Sequence, residues 1–135
     1  MKKAIVVIVI IATDQITKYL AIKDLLSPMD GLFGFVSCNP NISWSIPLSG
    51  TTLAVAWLVS ALIFIAVLNK TNWDVFLLGS FAGALSNAID RIYHGCVIDF
   101  ISIRQFPLFN IADSCITVGI MLFLLSTYIS NKKNK

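Results

Sequence analysis

Charges and turn residues divide the chain into four long apolar stretches, Ala4 to Ile22, Thr51 to Leu68, Val75 to Ile89 and Ala112 to Ile129. As helices rising 1.5 Å per residue they would measure about 22 to 28 Å, against a bilayer hydrocarbon core of roughly 30 Å. The pattern therefore predicts four membrane helices, the third needing local bilayer thinning or an extra turn. The first connection, Asp24 to Gly50, is longer than a tight helix turn requires. It sets Pro28, Gly31, Gly34, Pro40 and Pro47 among Leu32, Phe33, Phe35 and Val36. Between the third and fourth stretches, Cys96 to Ile103 is β-rich in composition and followed by Pro107. Together these connections predict a small surface sheet, with Phe33, Phe35, Phe100 and Phe106 as candidate lipid or substrate contacts. The expected fold class is an all-α membrane protein with four transmembrane helices and a small extracytoplasmic β-rich cradle. A single integral-membrane domain is expected over 1–135, with helices about 4–22, 51–68, 75–90 and 111–129 and outer loops 24–50 and 91–110.

Composition supports lipid as the solvent: of 135 residues, 57% are hydrophobic and 13% charged, far from the balance of a soluble domain. Lys2 and Lys3 ahead of Ala4 to Ala12 also have the order of a secretory signal. The run continues past Asp14 to Ile22 without a small-x-small cleavage site, and three further segments follow, so it reads as a retained helix. Lys2, Lys3, Lys70, Lys132, Lys133 and Lys135 lie at the termini and between the second and third stretches, which places those regions in the cytoplasm. The other two connections hold only Lys23, Arg91 and Arg104 and should face outward. Trp73 and Tyr128 near the inner surface, and Tyr19 towards the outer one, suit an aromatic belt. The net charge of +3 is mostly this orientation signal, and no nucleic-acid partner is expected. Three cysteines at unrelated spacings resemble no metal motif, so no metal is expected. Cys38 and Cys96 both fall outside, where a bridge can form, and Cys115 reads as a small packing residue.

An ionisable side chain inside a span costs several kcal/mol unless paired or hydrated, so each marks a candidate site. Asp14 lies about half-way along the first helix with Lys18 at i+4; Asn87, Asp90 and Arg91 close the third; Asn110 and Asp113 open the fourth. The third helix runs outward and the fourth inward, so Asp90, Asp99 and Asp113 reach one outer level, which Asn39 can join. Plainer roles exist for most of them. Asp14 with Lys18 can be an intrahelical ion pair, Asp90 with Arg91 interfacial anchors, and Asn110 with Asp113 a helix N-cap and its partner. Asp99 shares its strand face with Val97 and Ile101, a poor place for a purely structural carboxylate. Two close carboxylates do not both ionise easily, so one stays protonated while the other is a base, a pairing that can activate water against a peptide carbonyl. Residue positions alone leave Asp90 an equal candidate, and leave open which aspartate begins as the base.

Four elements, in order along the chain, resemble the lipoprotein signal peptidases, also called signal peptidase II. Asp14-Gln15-Ile16-Thr17-Lys18 is similar to that family's D-Q-x-x-K. Asn39-Pro40-Asn41-Ile42-Ser43-Trp44 stands where the family has N-x-G-x-x-F. Gly83-Ala84-Leu85-Ser86-Asn87-Ala88-Ile89-Asp90-Arg91 with Gly95-Cys96-Val97-Ile98-Asp99-Phe100 resembles G-A-x-G-N-x-x-D-R…G-x-V-x-D-F. Phe109-Asn110-Ile111-Ala112-Asp113-Ser114 matches F-N-x-A-D-S. The resemblance implies catalytic Asp99 and Asp113, with Asp14, Lys18, Asn39, Asn87, Asp90, Arg91 and Asn110 supporting them or binding substrate. It implies an aspartic endopeptidase of the bacterial inner membrane, both termini cytoplasmic, that cuts diacylglyceryl-prolipoproteins just before the lipidated cysteine. Membrane lipid is then a further partner, and no cofactor is implied. Asn41, Trp44 and Ser86 depart from the pattern and bear on pocket shape, although Pro40-Asn41 can still form a type II turn. A different class, a small ion- or proton-coupled transporter, would also concentrate Asp14, Lys18, Asp90 and Asp113, but would spread ionisable groups through the membrane in paired broken helices.

Overall fold

The computed structural model describes residues 2–25, 33–40, 51–103 and 106–133. Among them are four long helices, α1 (Lys2–Ile22), α2 (Thr51–Lys70), α3 (Val75–His94) and α4 (Ile111–Lys133), and two strands, β1 (Phe33–Asn39) and β2 (Val97–Ile101). By length and composition α1, α3 and α4 are suited to cross a membrane, and α2 contributes a shorter apolar stretch, Leu58–Lys70. The residues proposed to turn at Asn41, and Trp44 with them, lie outside the described residues.

The helix ends follow from backbone chemistry. The α2–α3 turn places Asn72 and Trp73 at positive φ and closes with Trp73 N–H donating to the Leu68 carbonyl at 2.8 Å. Asp74 then caps α3, accepting from the Phe76 and Leu77 amides at 2.9 and 3.3 Å. The third apolar run was expected to end near position 90, but α3 continues through Arg91 to His94. It stops where Gly95 takes the left-handed conformation, φ 74°. Charged residues end the hydrophobic pattern at Asp90 without ending the helix. This extra turn brings α3 to the length of its neighbours.

α3 is the hub, packing along α4 and α1, whereas α2 touches it lightly. Gly83 and Gly119 permit the α3–α4 approach. A Cβ at Gly83 would meet the Ala112 carbonyl, and one at Gly119 would meet Ser80 Oγ and the Phe76 carbonyl. A small apolar core of Leu68, Leu77 and Leu78 fills the end of the bundle near the α2–α3 turn, with Val7, Phe64, Phe81 and Phe123 packed on it.

At the other end β1 and β2 pair antiparallel, Asn39 with Val97 and Ser37 with Asp99, with an irregularity between Phe33 and Ser37. The free edge of β2 takes one further bridge: the Phe100 and Ile101 amides donate to the Phe109 carbonyl at 3.1 and 2.8 Å. The expected sheet thus exists, and Cys38 and Cys96 are bridged across it, Cα to Cα 5.4 Å. Val97, Ile98, Asp99 and Phe100 are all buried, without alternation. Phe100, expected to face lipid or substrate, is instead a core residue, while Phe106 is exposed and set edge-on against Phe109 at 6.4 Å.

Burial is inverted relative to a water-soluble protein. Ile8, Leu62, Met121 and Leu124 are more than half exposed, whereas Asp14, Lys18, Asn87, Asp90, Asp99 and Asn110 are buried. Lipid, not water, is the solvent that makes such a surface favourable.

Candidate active site

The site is built from five elements, α1, β1, α3, β2 and α4, that each deliver polar side chains to one level. Near the C-terminal end of α1, Lys18 is buried, and its ammonium meets three acceptors: Asp14 Oδ2 at 2.7 Å, Asp90 Oδ2 at 2.7 Å and Asn87 Oδ1 at 2.9 Å. A lysine has three N–H donors, so this one is saturated. Its pairing with Asp14 is the intrahelical ion pair expected from i,i+4 spacing, extended across to α3.

Asp90, an equal candidate on residue positions with an interfacial anchor as its plainer role, is buried at 2% exposure. Its Oδ1 accepts from Gln15 Nε2 at 2.8 Å, and its Oδ2 accepts from Lys18 and from the Ile98 amide at 3.1 Å. Both oxygens are engaged in tying α1 and β2 to α3. Asp90 differs from Asp99 in its partner: it pairs with the Lys18 ammonium, whereas the two Asp99 oxygens accept from the Asn110 and Asn39 amides.

Asn110 sits between Asp99 and Asp113. The Phe109 bridge to β2 fixes its backbone, and as N-cap of α4 its Oδ1 accepts from the Asp113 amide at 2.8 Å. Its Nδ2 donates to Asp99 Oδ1 at 2.8 Å and lies 3.1 Å from Asn87 Oδ1. The capping reading was correct, and the same amide also holds Asp99. Asn87 Nδ2 donates to Asp113 Oδ1 at 2.8 Å. Asn39, diagonal to Asp99 across the sheet, donates Nδ2 to Asp99 Oδ2 at 3.3 Å. Arg91 Nη1 donates to the Asn87 carbonyl at 3.3 Å, and its charge acts on Asp113, Asp99 and Asp90.

Asp14, Lys18, Asn39, Asn87, Asp90, Arg91, Asp99, Asn110 and Asp113 therefore form one connected network. Asp99 is buried at 3% exposure, whereas Asp113 is partly exposed, as are Asn39 and Arg91, so the network opens to its surroundings along this side. Burial, and secondarily the nearby negative charge of Asp113, pushes the Asp99 carboxyl up to about 6, against the smaller opposing effect of the Asn39 and Asn110 donors. Among the described residues no three His, Cys, Asp or Glu side chains gather as a metal site.

Sequence reasoning missed two members. Gln15 Nε2 donates to Asp90 and lies 3.1 Å from Ser86 Oγ, and Ser86 Oγ donates to Asp14 Oδ2 at 2.7 Å. Gln15 follows Asp14 in the first motif, which was the available signal. Ser86 was read only for its bulk.

The profile of the signal peptidase (SPase) II family matches residues 6–129, nearly the whole chain. The chain belongs to the signal peptidase II family. It is 39% identical, over 91% of its own length and 92% of the relative's, to the lipoprotein signal peptidase of Thermodesulfovibrio yellowstonii. Against the lipoprotein signal peptidase of Staphylococcus aureus strain RF122 identity is 32%, covering 97% of this chain and 91% of that one. Two solved bacterial membrane enzymes share the fold of this family member. One, determined in meso at 2.3 Å, gives a TM-score of 0.78 at 27% identity, covering 99% of this chain and 92% of the other. The second, at 1.9 Å, gives 0.69 at 26% identity, covering 93% and 92%. As a member of the signal peptidase II family, the chain is a hydrolase of the aspartic peptidase class.

Proposed function

We propose that this peptidase removes signal peptides from prolipoproteins whose cysteine already bears diacylglycerol, cutting just before that cysteine, with Asp99 and Asp113 activating water. One observation carries the reading. Asn110 donates to Asp99 through one amide atom and accepts from the Asp113 backbone through the other, so a single side chain fixes two carboxyl-bearing residues while Asp90 is engaged elsewhere. The raised Asp99 carboxyl suits the protonated partner. Asp113, partly exposed, suits the base that takes a proton from water as it attacks the scissile carbonyl. Asp99 then stabilises the developing oxyanion by a hydrogen bond and passes its one proton to the leaving amine as the C–N bond breaks, while Asp113 holds the proton taken from water.

The proposed setting is the bacterial inner membrane, with four spans in one domain, 1–135, both termini cytoplasmic and the sheet outside. Lys3 Nζ donates to the Asn72 carbonyl at 2.7 Å, which supports placing the N-terminus and the α2–α3 turn on one side. The substrate's two acyl chains would stay in the bilayer while the peptide meets the network at its outer level.

Cleavage of a diacylglyceryl-modified precursor by the purified protein in detergent tests this. Asp99→Asn and Asp113→Asn should each lower kcat by about 10²- to 10⁴-fold, the usual contribution of acid–base groups. Undiminished cleavage by either variant would sink the dyad, and equal cleavage of the unlipidated precursor would sink the substrate assignment.

A further inference from the structure

We propose that the Ser86 hydroxyl is a positioning residue for the dyad, acting through Asp14 on the first turn of α4; the inference rests on the peptidase reading above. Ser86 lies one residue before Asn87 on α3 and is fully buried, at 0% exposure, as is Asp14. It reaches no substrate. Its effect must travel through its hydrogen bonds, and these are directional.

Gln15 Nε2 donates one proton to Asp90 Oδ1 at 2.8 Å and turns the other towards the Ser86 hydroxyl and carbonyl oxygens, at 3.1 and 3.2 Å. With its oxygen accepting from Gln15, the Ser86 hydroxyl aims its single proton at Asp14 Oδ2, 2.7 Å away. That oxygen also takes the Lys18 ammonium at 2.7 Å. Both donors fall on Oδ2, which turns Oδ1 towards the Ala112 amide, where it accepts at 2.8 Å.

Ala112 is the residue before Asp113. Asp14 thus holds the first turn of α4 from α1, and Ser86 holds the plane of the Asp14 carboxylate from α3. Lys18, itself held to α3 by Asp90 and Asn87, gives Oδ2 one donor from Asp14's own helix, and the Ser86 hydroxyl gives it a second from a separate helix. Serine has one short rotor on a separate helix. Glycine stands here in the motif the sequence resembles, so the hydroxyl adds a fixed point that such a site lacks. A charge-assisted hydrogen bond of this length is among the stronger ones available to a buried carboxylate.

Four variants of the protein in detergent test the idea: Ser86→Ala, Ser86→Cys, Asp14→Asn and Ser86→Ala combined with Asp14→Asn. Ser80→Ala serves as the comparison. Ser80 is an equally buried α3 serine, but its hydroxyl bonds the Phe76 and Ile116 carbonyls at 3.2 and 3.1 Å, outside the network. Ser86→Ala should lower kcat about tenfold with KM within twofold, and Ser86→Cys should recover part of the loss. The combined variant should lose no more than Asp14→Asn alone.

Amide hydrogen exchange at Ala112 gives a readout independent of cleavage. It should quicken about tenfold in Ser86→Ala and stay unchanged in Ser80→Ala. Unaltered Ala112 exchange in Ser86→Ala, or losses in kcat that multiply in the combined variant, would overturn the proposal. Undiminished cleavage by Asp113→Asn would remove the dyad reading whether or not Ala112 exchange responds.

Discussion

At the scale of single residues, Asp99 carries one identifiable cost of the site. Its carboxyl is held near 6 instead of its ordinary 3.8, so the folded protein retains a proton that the unfolded chain gives up between those values. Protons bound in the folded state exceed those bound in the unfolded state across that window, so stability falls as pH rises from about 4 to 6 and the penalty then stays constant. Integrated over the shift, the loss is on the order of 2–3 kcal/mol. Asparagine has the same shape without the charge. Asp99→Asn, though slowed in catalysis as above, should therefore be more resistant to heat than the wild type at pH 7 to 8, with the gap closing near pH 4. Thermal unfolding in detergent across that range checks it, and a variant less stable at neutral pH would mean that the Asn39 and Asn110 donors outweigh burial.

At the scale of elements, two contacts decide whether the carboxylates meet. The first is the α3–α4 approach. Gly83→Ala would push a methyl against the Ala112 carbonyl and so displace the turn that carries Asp113. Overpacking of this kind costs about 1–3 kcal/mol, and here it should lower kcat at least as sharply as it lowers the unfolding midpoint. Paired activity and melting measurements on that variant decide the matter; a lowered midpoint with normal kcat would show that α4 adjusts without moving Asp113. The second is the Cys38–Cys96 bridge, next to Asn39 on β1. Chain entropy for a separation of 58 residues gives roughly 4 kcal/mol. The intervening α2 and α3 remain an inserted hairpin when the sheet opens, so only a fraction of that is realised. The larger effect is local: a reducing agent, or Cys38→Ser with Cys96→Ser, should free Asn39 from Asp99 and lower kcat several-fold while helix content by circular dichroism holds. Equal kcat before and after reduction would show that the sheet keeps its register unaided.

At the scale of the whole molecule, how much was legible in advance follows from the solvent. Lipid leaves long apolar runs few alternatives to a helix, so the four helices and their order could be read from hydrophobicity alone. Asp14, Lys18, Asn87 and Asp113 stood out inside those runs for the same reason, whereas Asn39 and Asp99 were placed with them only by the outer level at which their connections lie. The end of α3 was not, because a glycine cap, and not hydropathy, sets it. Nor could the Gln15–Ser86–Asp14 clasp be read, since it depends on how α1 turns against α3 across 71 to 72 positions of sequence. The bridge between Cys38 and Cys96 likewise depended on strand register.

Orientation in the membrane rests on lysine placement, and the fold makes it testable. With Lys3 bonded at the α2–α3 turn, the N-terminus and that turn must share one side, while Phe106 beside the sheet lies at the other end of the bundle. Phe106 is exposed at 68%, so a cysteine there would be open to reagent. In a chain with Cys115→Ser, Phe106→Cys should react with a membrane-impermeant maleimide added to intact cells. Asn72→Cys should react only after the membrane is opened. The reverse pattern would turn the protein over and place the aspartates in the cytoplasm, where a secreted precursor's cleavage point is out of reach. Labelling of both cysteines from outside would break the shared axis of the bundle. The expected result follows from the lysines alone, because each cytoplasmic positive charge opposes translocation of its loop and the outer connections carry few.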